Sequence, residues 1–161
     1  MANPDTPNGF RPVRSDSGQS AVVFFSVAAS QTIAKGDAVI LASGLVEIAV
    51  LTSPQLLGVA ASAKVTTTVT RADRIAVYVA IPSQTFEGQC SGSSTAALVG
   101  TACDIEGATG VMEVNENATT EDVIQITGIR SDEDVTTALG LNDIVRFVIL
   151  RSQYYPVLAA K

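Results

Sequence analysis

Histidine and tryptophan are both absent from this chain of 161 residues. Without histidine, Ser-His-Asp and Cys-His catalysis, histidine-bearing zinc sites and the usual proton shuttle near neutral pH are excluded. Any remaining chemistry falls to carboxylates, lysine or tyrosine, so an enzyme is a poor expectation. Aromatic residues reach only 5 %, a thin supply for stacking on sugars. Charged residues make up 16 %, against roughly 25 % in ordinary soluble domains. Basic charge is scarcest: 10 Lys and Arg face 16 Asp and Glu, for a net charge of −6. A nucleic-acid binder needs a basic face to neutralise phosphates, so no nucleic-acid partner is expected. No apolar run approaches the roughly 18 residues of a membrane-spanning helix, and no membrane partner is expected either. The N-terminus lacks the basic and apolar regions of a signal peptide.

Small and β-branched residues dominate instead. There are 22 alanines, 20 valines and 16 threonines, hydrophobic residues reach 47 % and mean hydropathy is +0.32. The length suits one domain with its own core. A chain this apolar without a membrane span is expected to bury surface against partner subunits.

Residues 1–20 form a separate compositional block. Three of the six prolines, Pro4, Pro7 and Pro12, fall in its first dozen residues, and proline disfavours helix at itself and at the residue before it. The block reads either as a disordered terminus or as an extended arm docking on a neighbour. In the second reading Pro4, Pro7 and Pro12 hold the arm extended, Phe10 is its anchor, and Arg11 and Arg14 make charge contacts. Removing residues 1–14 is then expected to leave the domain folded.

From residue 21 to 161 the pattern is strand after strand. Ala21 to Val27 reads as a fully buried strand. Turns at Lys35-Gly36-Asp37 and Ser43-Gly44 bound Ala38 to Ala42 and lead into Leu45 to Leu51. The glycine within Leu56 to Ala61 suggests a bulge or a close backbone approach, and Lys64 to Thr70 suits a strand with a solvated face. Arg74 to Ile81 alternates cleanly, with Ile75, Val77, Val79 and Ile81 on one side. Further strands are expected at Thr85 to Gln89, Leu98 to Ile105, Gly110 to Val114, Val123 to Ile129 and Ile144 to Leu150. In the last of these, Val145, Phe147 and Ile149 should point inward. One short helix is expected at Asp132 to Leu139, between Ser131 and Gly140 as caps. The fold class is all-β, a compact small barrel or sandwich of β-tulip type with an extended N-terminal arm and at most one or two short helices.

The chemical motifs are weak. Gly88-Gln89-Cys90-Ser91-Gly92 has the form of a thiol nucleophile elbow, but that geometry needs a strand-turn-helix setting and a base. Cys90 and Cys103 cannot complete a zinc site without further ligands, and free thiols are the expectation. Positions 104–134 hold nine carboxylates and only one base, Arg130. Calcium is the sharpest reading of that segment, yet no Asp-x-Asp-x-Asp-Gly register appears. A carboxylate-pair hydrolase could draw on Glu113, Glu116, Glu121 and Asp122, although nothing specifies a pair at the required separation. No cofactor, metal or catalytic residue is expected.

The order of certain short motifs resembles the head decoration, or capsid cement, proteins of tailed bacteriophages. The opening Met-Ala-Asn-Pro-Asp-Thr-Pro-Asn-Gly-Phe-Arg-Pro-Val is the most specific piece. Ile33-Ala34-Lys35-Gly36-Asp37-Ala38-Val39, Leu57-Gly58-Val59-Ala60, Phe86-Glu87-Gly88-Gln89 and Val99-Gly100-Thr101-Ala102-Cys103-Asp104 follow in order, before a last strand rich in Val, Ile and Phe. The chain departs from the pattern at Ala80-Ile81-Pro82, where such proteins often carry Asp-Asp-Pro. The resemblance implies a β-rich virion protein, made in the host cytoplasm and commonly a homotrimer. Such a protein sits on the outer capsid surface and clamps neighbouring copies of the major capsid protein. Alternatives are another small β virion component, from the tail or head completion, or a ligand- or carbohydrate-binding β-barrel.

Overall fold

Alternation along β8 (Arg74–Val79) sets the architecture: Ile75, Val77 and Val79 are fully buried, while Arg74 is exposed and Ala76 and Tyr78 are half-buried. In a strand, alternate side chains leave opposite faces, so the sheet containing β8 has a core on each side. The computed structural model describes residues 5–15, 18–70, 72–130 and 140–155. Among them are thirteen strands and one short 3-10 turn at Ala96–Leu98. The helix expected at Asp132 to Leu139 lies outside the described residues, as does Pro4.

Two antiparallel sheets form the body, an all-β, open, sandwich-like arrangement. The first has five strands in the order β2-β8-β6-β4-β5, with β2 at Val22–Ser26, β4 at Ala38–Ala42, β5 at Leu45–Ile48 and β6 at Gly58–Ala60. The second has six, in the order β1-β9-β13-β12-β10-β11. Its members are β1 (Arg11–Ser15), β9 (Gln84–Gln89), β10 (Ala102–Glu106), β11 (Glu113–Asn115), β12 (Ile124–Ile129) and β13 (Ile144–Ile149). A small ribbon pairs β3 (Thr32–Ile33) with β7 (Lys64–Val65).

One hydrophobic cluster lies between the sheets, where Ala38 and Val59 meet Phe86, Cys103, Ile105, Ile124, Ile126, Val145 and Phe147. The second cluster, including Val27, Val39, Val46, Leu57, Ile75, Val77 and Val79, occupies the opposite face of the five-stranded sheet. That sheet curls far enough for Val27, just beyond β2, to bridge Val46 of β5, which half-encloses the second cluster. Small side chains make the curl close-packed. An ideal Cβ on Gly58 would lie 2.1 Å from the Tyr78 carbonyl oxygen, so the close approach expected there is real. The Ser43-Gly44 turn is also as expected: Ala42 pairs with Leu45, and both loop residues have positive φ, the mirror-image turn that suits a two-residue hairpin.

Four expectations change. Ala21 to Val27 is not fully buried, because β2 is an edge strand and exposes Val22 and Phe24, the latter by 56 %. The strand expected from Leu98 to Ile105 breaks into the 3-10 turn and β10, with Gly100 at φ 92° between them. Lys64 to Thr70 contributes only the two residues of β7. Most consequentially, residues 11–15 of the supposed arm are a strand of the six-stranded sheet, so fold and compositional block do not share a boundary at residue 20. Pro12 is tolerated because β1 lies at the sheet edge and shifts register between Pro12 and Arg14; proline lacks the N–H an inner strand would need.

Candidate functional site

The N-terminal segment reaches the body through a crossing of two glycine turns. Phe10 N–H donates to the Gly36 carbonyl at 2.7 Å, and Gly36 N–H donates to the Ala60 carbonyl at 2.9 Å. Gly9 has φ +70°, and a Cβ there would sit 2.7 Å from the Gly36 oxygen; a side chain would therefore push the two backbones apart. The crossing delivers the Phe10 ring, only 3 % exposed, into the core between the sheets. Its centroid lies 5.1 Å from that of Phe147 in an edge-to-face contact at 80°, a favoured aromatic geometry. Gly88 supplies the floor, since a Cβ there would lie 2.4 Å from Phe10 Cδ1.

These contacts correct the expectation that Phe10 anchors the segment on a neighbouring molecule. The ring fills a slot in its own domain, because Gly88 leaves room for it and Phe147 lines it. Pro7 is half-buried, and Pro12 and Arg14 lie in β1 opposite Phe86 and Thr85. Arg11 is directly opposite Glu87, and its Nε donates to Glu87 Oε1.

Glu87 is the electrostatic centre of the region. It is 5 % exposed and accepts from Arg11 while Arg130 Nη1 stands 3.6 Å from the same oxygen. Arg146 of β13 is the cross-strand partner of Glu87 on its other side, and direct partners project from the same face. The segment before β1 roofs this face: Thr6 N–H donates to Gln89 Oε1 at 3.3 Å. Beneath it runs a groove of about 290 Å³ whose lining includes Asn8, Arg11, Glu87, Arg130, Asn142 and Ile144. Arg11 alone of these was singled out from sequence as a contact residue. Glu87 belongs to Phe86-Glu87-Gly88-Gln89, but nothing local marks Arg130 as its neighbour, since only the sheet order brings β12 and β9 near each other.

Two of the acidic residues between 104 and 122, Asp104 and Glu116, hold backbone N–H groups. Asp104, 1 % exposed, accepts from the backbone N–H groups of Thr120, Glu121 and Asp122 at 3.0, 3.0 and 2.7 Å. Glu116 accepts from Gly92 N–H at 3.3 Å and from Asn117 Nδ2 at 2.8 Å. Asp37 does the same for the first half of the chain, accepting from Ala34 N–H and Gly110 N–H, each at 2.7 Å. Burial raises the Asp37 carboxyl above its ordinary pKa, and those two hydrogen bonds partly oppose the rise. Glu113 is likewise raised, first by burial and then by the negative charges of Asp5, Glu106 and Glu116. Among the described residues no cluster of carboxylates and thiols has the arrangement of a metal site.

Cys90 and Cys103 are both buried free thiols. Burial first, and then neighbouring carboxylates led by Glu116, push the Cys90 thiol far up. Cys103 is pushed up to about 12 by burial and then by Asp104. A thiolate is the nucleophilic form, so the Gly-x-Cys-x-Gly sequence carries no poised nucleophile. We expect neither thiol to react with a disulfide reagent near pH 8 in the native protein, and both to react once denaturant is added. Rapid labelling of the folded chain would reopen the nucleophile reading.

Comparison with protein-family models, curated proteins and solved structures finds no match for this chain.

Proposed function

We propose that this protein is a structural component of a tailed-phage virion, a decoration protein that binds the outer capsid surface and stabilises contacts between major capsid subunits. The observation that supports this reading is spatial. Three motifs that carry the resemblance, Asn8-Gly9-Phe10-Arg11, Lys35-Gly36-Asp37 and Phe86-Glu87-Gly88-Gln89, are far apart in the chain yet form one lock. Gly36 receives Phe10 N–H, Gly88 makes room for the Phe10 ring, and Glu87 binds Arg11. Their shared occurrence thus has a common cause in the way the N-terminus is fastened. The reading also fits a chain whose buried carboxylates hold backbone turns.

Attachment to the capsid falls to surfaces other than Phe10. The solvent-exposed side of β2 is the strongest candidate: Val22 and Phe24 are exposed beside Arg74, whose guanidinium lies 5.7 Å from the Phe24 ring centre. Burying two such side chains against a capsid subunit would contribute about 3–5 kcal/mol before ordering costs. The test is to add purified protein to capsids that lack it, then measure co-sedimentation and locate bound density by electron microscopy. Density on the outer shell between major capsid subunits is the expected result. Failure to sediment with capsids would overturn the proposal, and density confined to the tail or the portal vertex would favour a tail or head-completion component.

A further inference from the structure

Asn8 is followed by Gly9, and this is the only Asn-Gly step in the chain. Asparagine is among the chemically labile side chains. Its amide carbon is open to attack by the backbone nitrogen of the next residue, provided that nitrogen is uncrowded and not engaged elsewhere. Gly9 meets both conditions. It has no Cβ to shield the nitrogen, and its N–H makes no hydrogen bond among the described residues. Asn8 is exposed, and together with Gly9 it lines the groove beside Arg11 and Glu87, so water reaches the step. Among the described residues its amide is held by one hydrogen bond, from Nδ2 to the Thr6 carbonyl at 2.9 Å.

The other four asparagines lack this combination. Asn3 precedes Pro4, which has no N–H. Asn115 and Asn142 precede Glu116 and Asp143, whose side chains crowd the nitrogen. The Ala118 N–H that follows Asn117 donates to the Asn115 carbonyl at 3.3 Å, and Asn117 Nδ2 donates to Glu116.

We propose that Asn8 is a site of spontaneous modification in the folded protein, where conversion to isoaspartate unfastens Phe10. Base from solvent removes the Gly9 amide proton, and the nitrogen attacks Asn8 Cγ. The Cγ–Nδ2 bond breaks, and Nδ2 takes a proton from water and leaves as ammonia. One water molecule then opens the resulting succinimide. Opening at Cγ gives aspartate in an ordinary backbone. Opening at the main-chain carbonyl gives isoaspartate, in which the chain runs through Cβ and Cγ and is one carbon longer. No electrons are gained or lost.

The fold has no room for that carbon. The stretch is fixed on both sides, by Thr6 N–H on Gln89 Oε1 and by Phe10 N–H on the Gly36 carbonyl. Between them Gly9 passes so close to Gly36 that a single Cβ would lie 2.7 Å from its oxygen. A longer backbone must give up one of these contacts, and the second is the one that seats the Phe10 ring.

Ageing the purified full chain in mildly alkaline buffer tests this, with peptide mapping by mass spectrometry and an isoaspartate-specific methyltransferase to identify the product. Asn8 should convert ahead of the other four asparagines. Urea unfolding of the aged sample should show a second, weaker species whose share equals the isoaspartate share. Asn8→Gln, aged alongside, should show neither, and Asn8→Ser serves in its place if that variant does not fold. Asn8→Asp, which copies the other product, should unfold with the fresh unmodified chain. An Asn8 that stays intact in the folded chain while it converts in urea would overturn the inference. So would isoaspartate at Asn8 without a weaker species, the same weaker species in aged Asn8→Gln, or an Asn8→Asp chain as weak as the aged one.

Discussion

Phe10→Ala should destabilise the fold by about 3–5 kcal/mol. The ring is nearly fully buried, packs edge-to-face on Phe147 and is seated above Gly88. Its removal leaves a cavity that cannot collapse readily, because the walls are the backbone at Gly88 and the stacked pair Phe86 and Phe147, 6.0 Å apart. Domains of this size have a total stability of about 5–15 kcal/mol, so the loss is a large fraction of the whole. Urea unfolding followed by circular dichroism measures it, and a change below about 1 kcal/mol would show that the ring is not a core residue. The same geometry reverses the expectation for deleting residues 1–14. That truncation removes Phe10 and most of β1, so it should unfold or severely weaken the domain. Loss of capsid attachment in the truncated chain would then report damage to the fold.

Asp104→Ala should be the next most damaging change, at about 2–4 kcal/mol, since it leaves three backbone N–H groups without their charged acceptor. No other single side chain described here holds as many N–H groups of one turn. Asp104→Asn keeps one acceptor oxygen and turns an NH2 group toward the others, so it should fall between alanine and the unmodified chain. Thermal melts of the three proteins would order them. If alanine and asparagine both match the unmodified chain, the carboxylate does not hold the turn. This residue also explains why the acidic segment suggested calcium from sequence. The carboxylate is real and buried, but the positive partners are peptide N–H groups of residues 120–122, invisible in any side-chain pattern.

The sheets were legible where period-two alternation coincided with burial on one face. Ile75, Val77 and Val79 in β8, and Val145 and Phe147 in β13, are buried as the alternation requires. Edge strands were not legible. Ala21 to Val27 looks like an inner strand because a short apolar run carries no information on whether a neighbour lies on each side. Residues 11–15 look unlike a strand because Pro12 and two arginines interrupt the pattern, features that an edge position and a bulge accommodate. The candidate site was half legible. The N-terminal motif marked Arg11, but its partner Glu87 is 76 residues away, and Arg130 joins them only through the order of strands.

The pairing of β1 with β9 has a consequence for how the chain is made. The segment that closes the inter-sheet core is made before the strands it joins, and Glu87 follows Arg11 by 76 residues. At about 5–20 residues per second, this segment waits several seconds for its β9 partner and longer still for Phe147. Throughout that interval Phe10 has no slot to fill. Its neighbours Pro7, Gly9, Arg11 and Pro12 suit the wait, since prolines, glycine and charge keep a nascent segment from pairing with the wrong edge. The residues that made this stretch look like a loose tail are, on this view, what lets it remain uncommitted until the rest of its domain arrives.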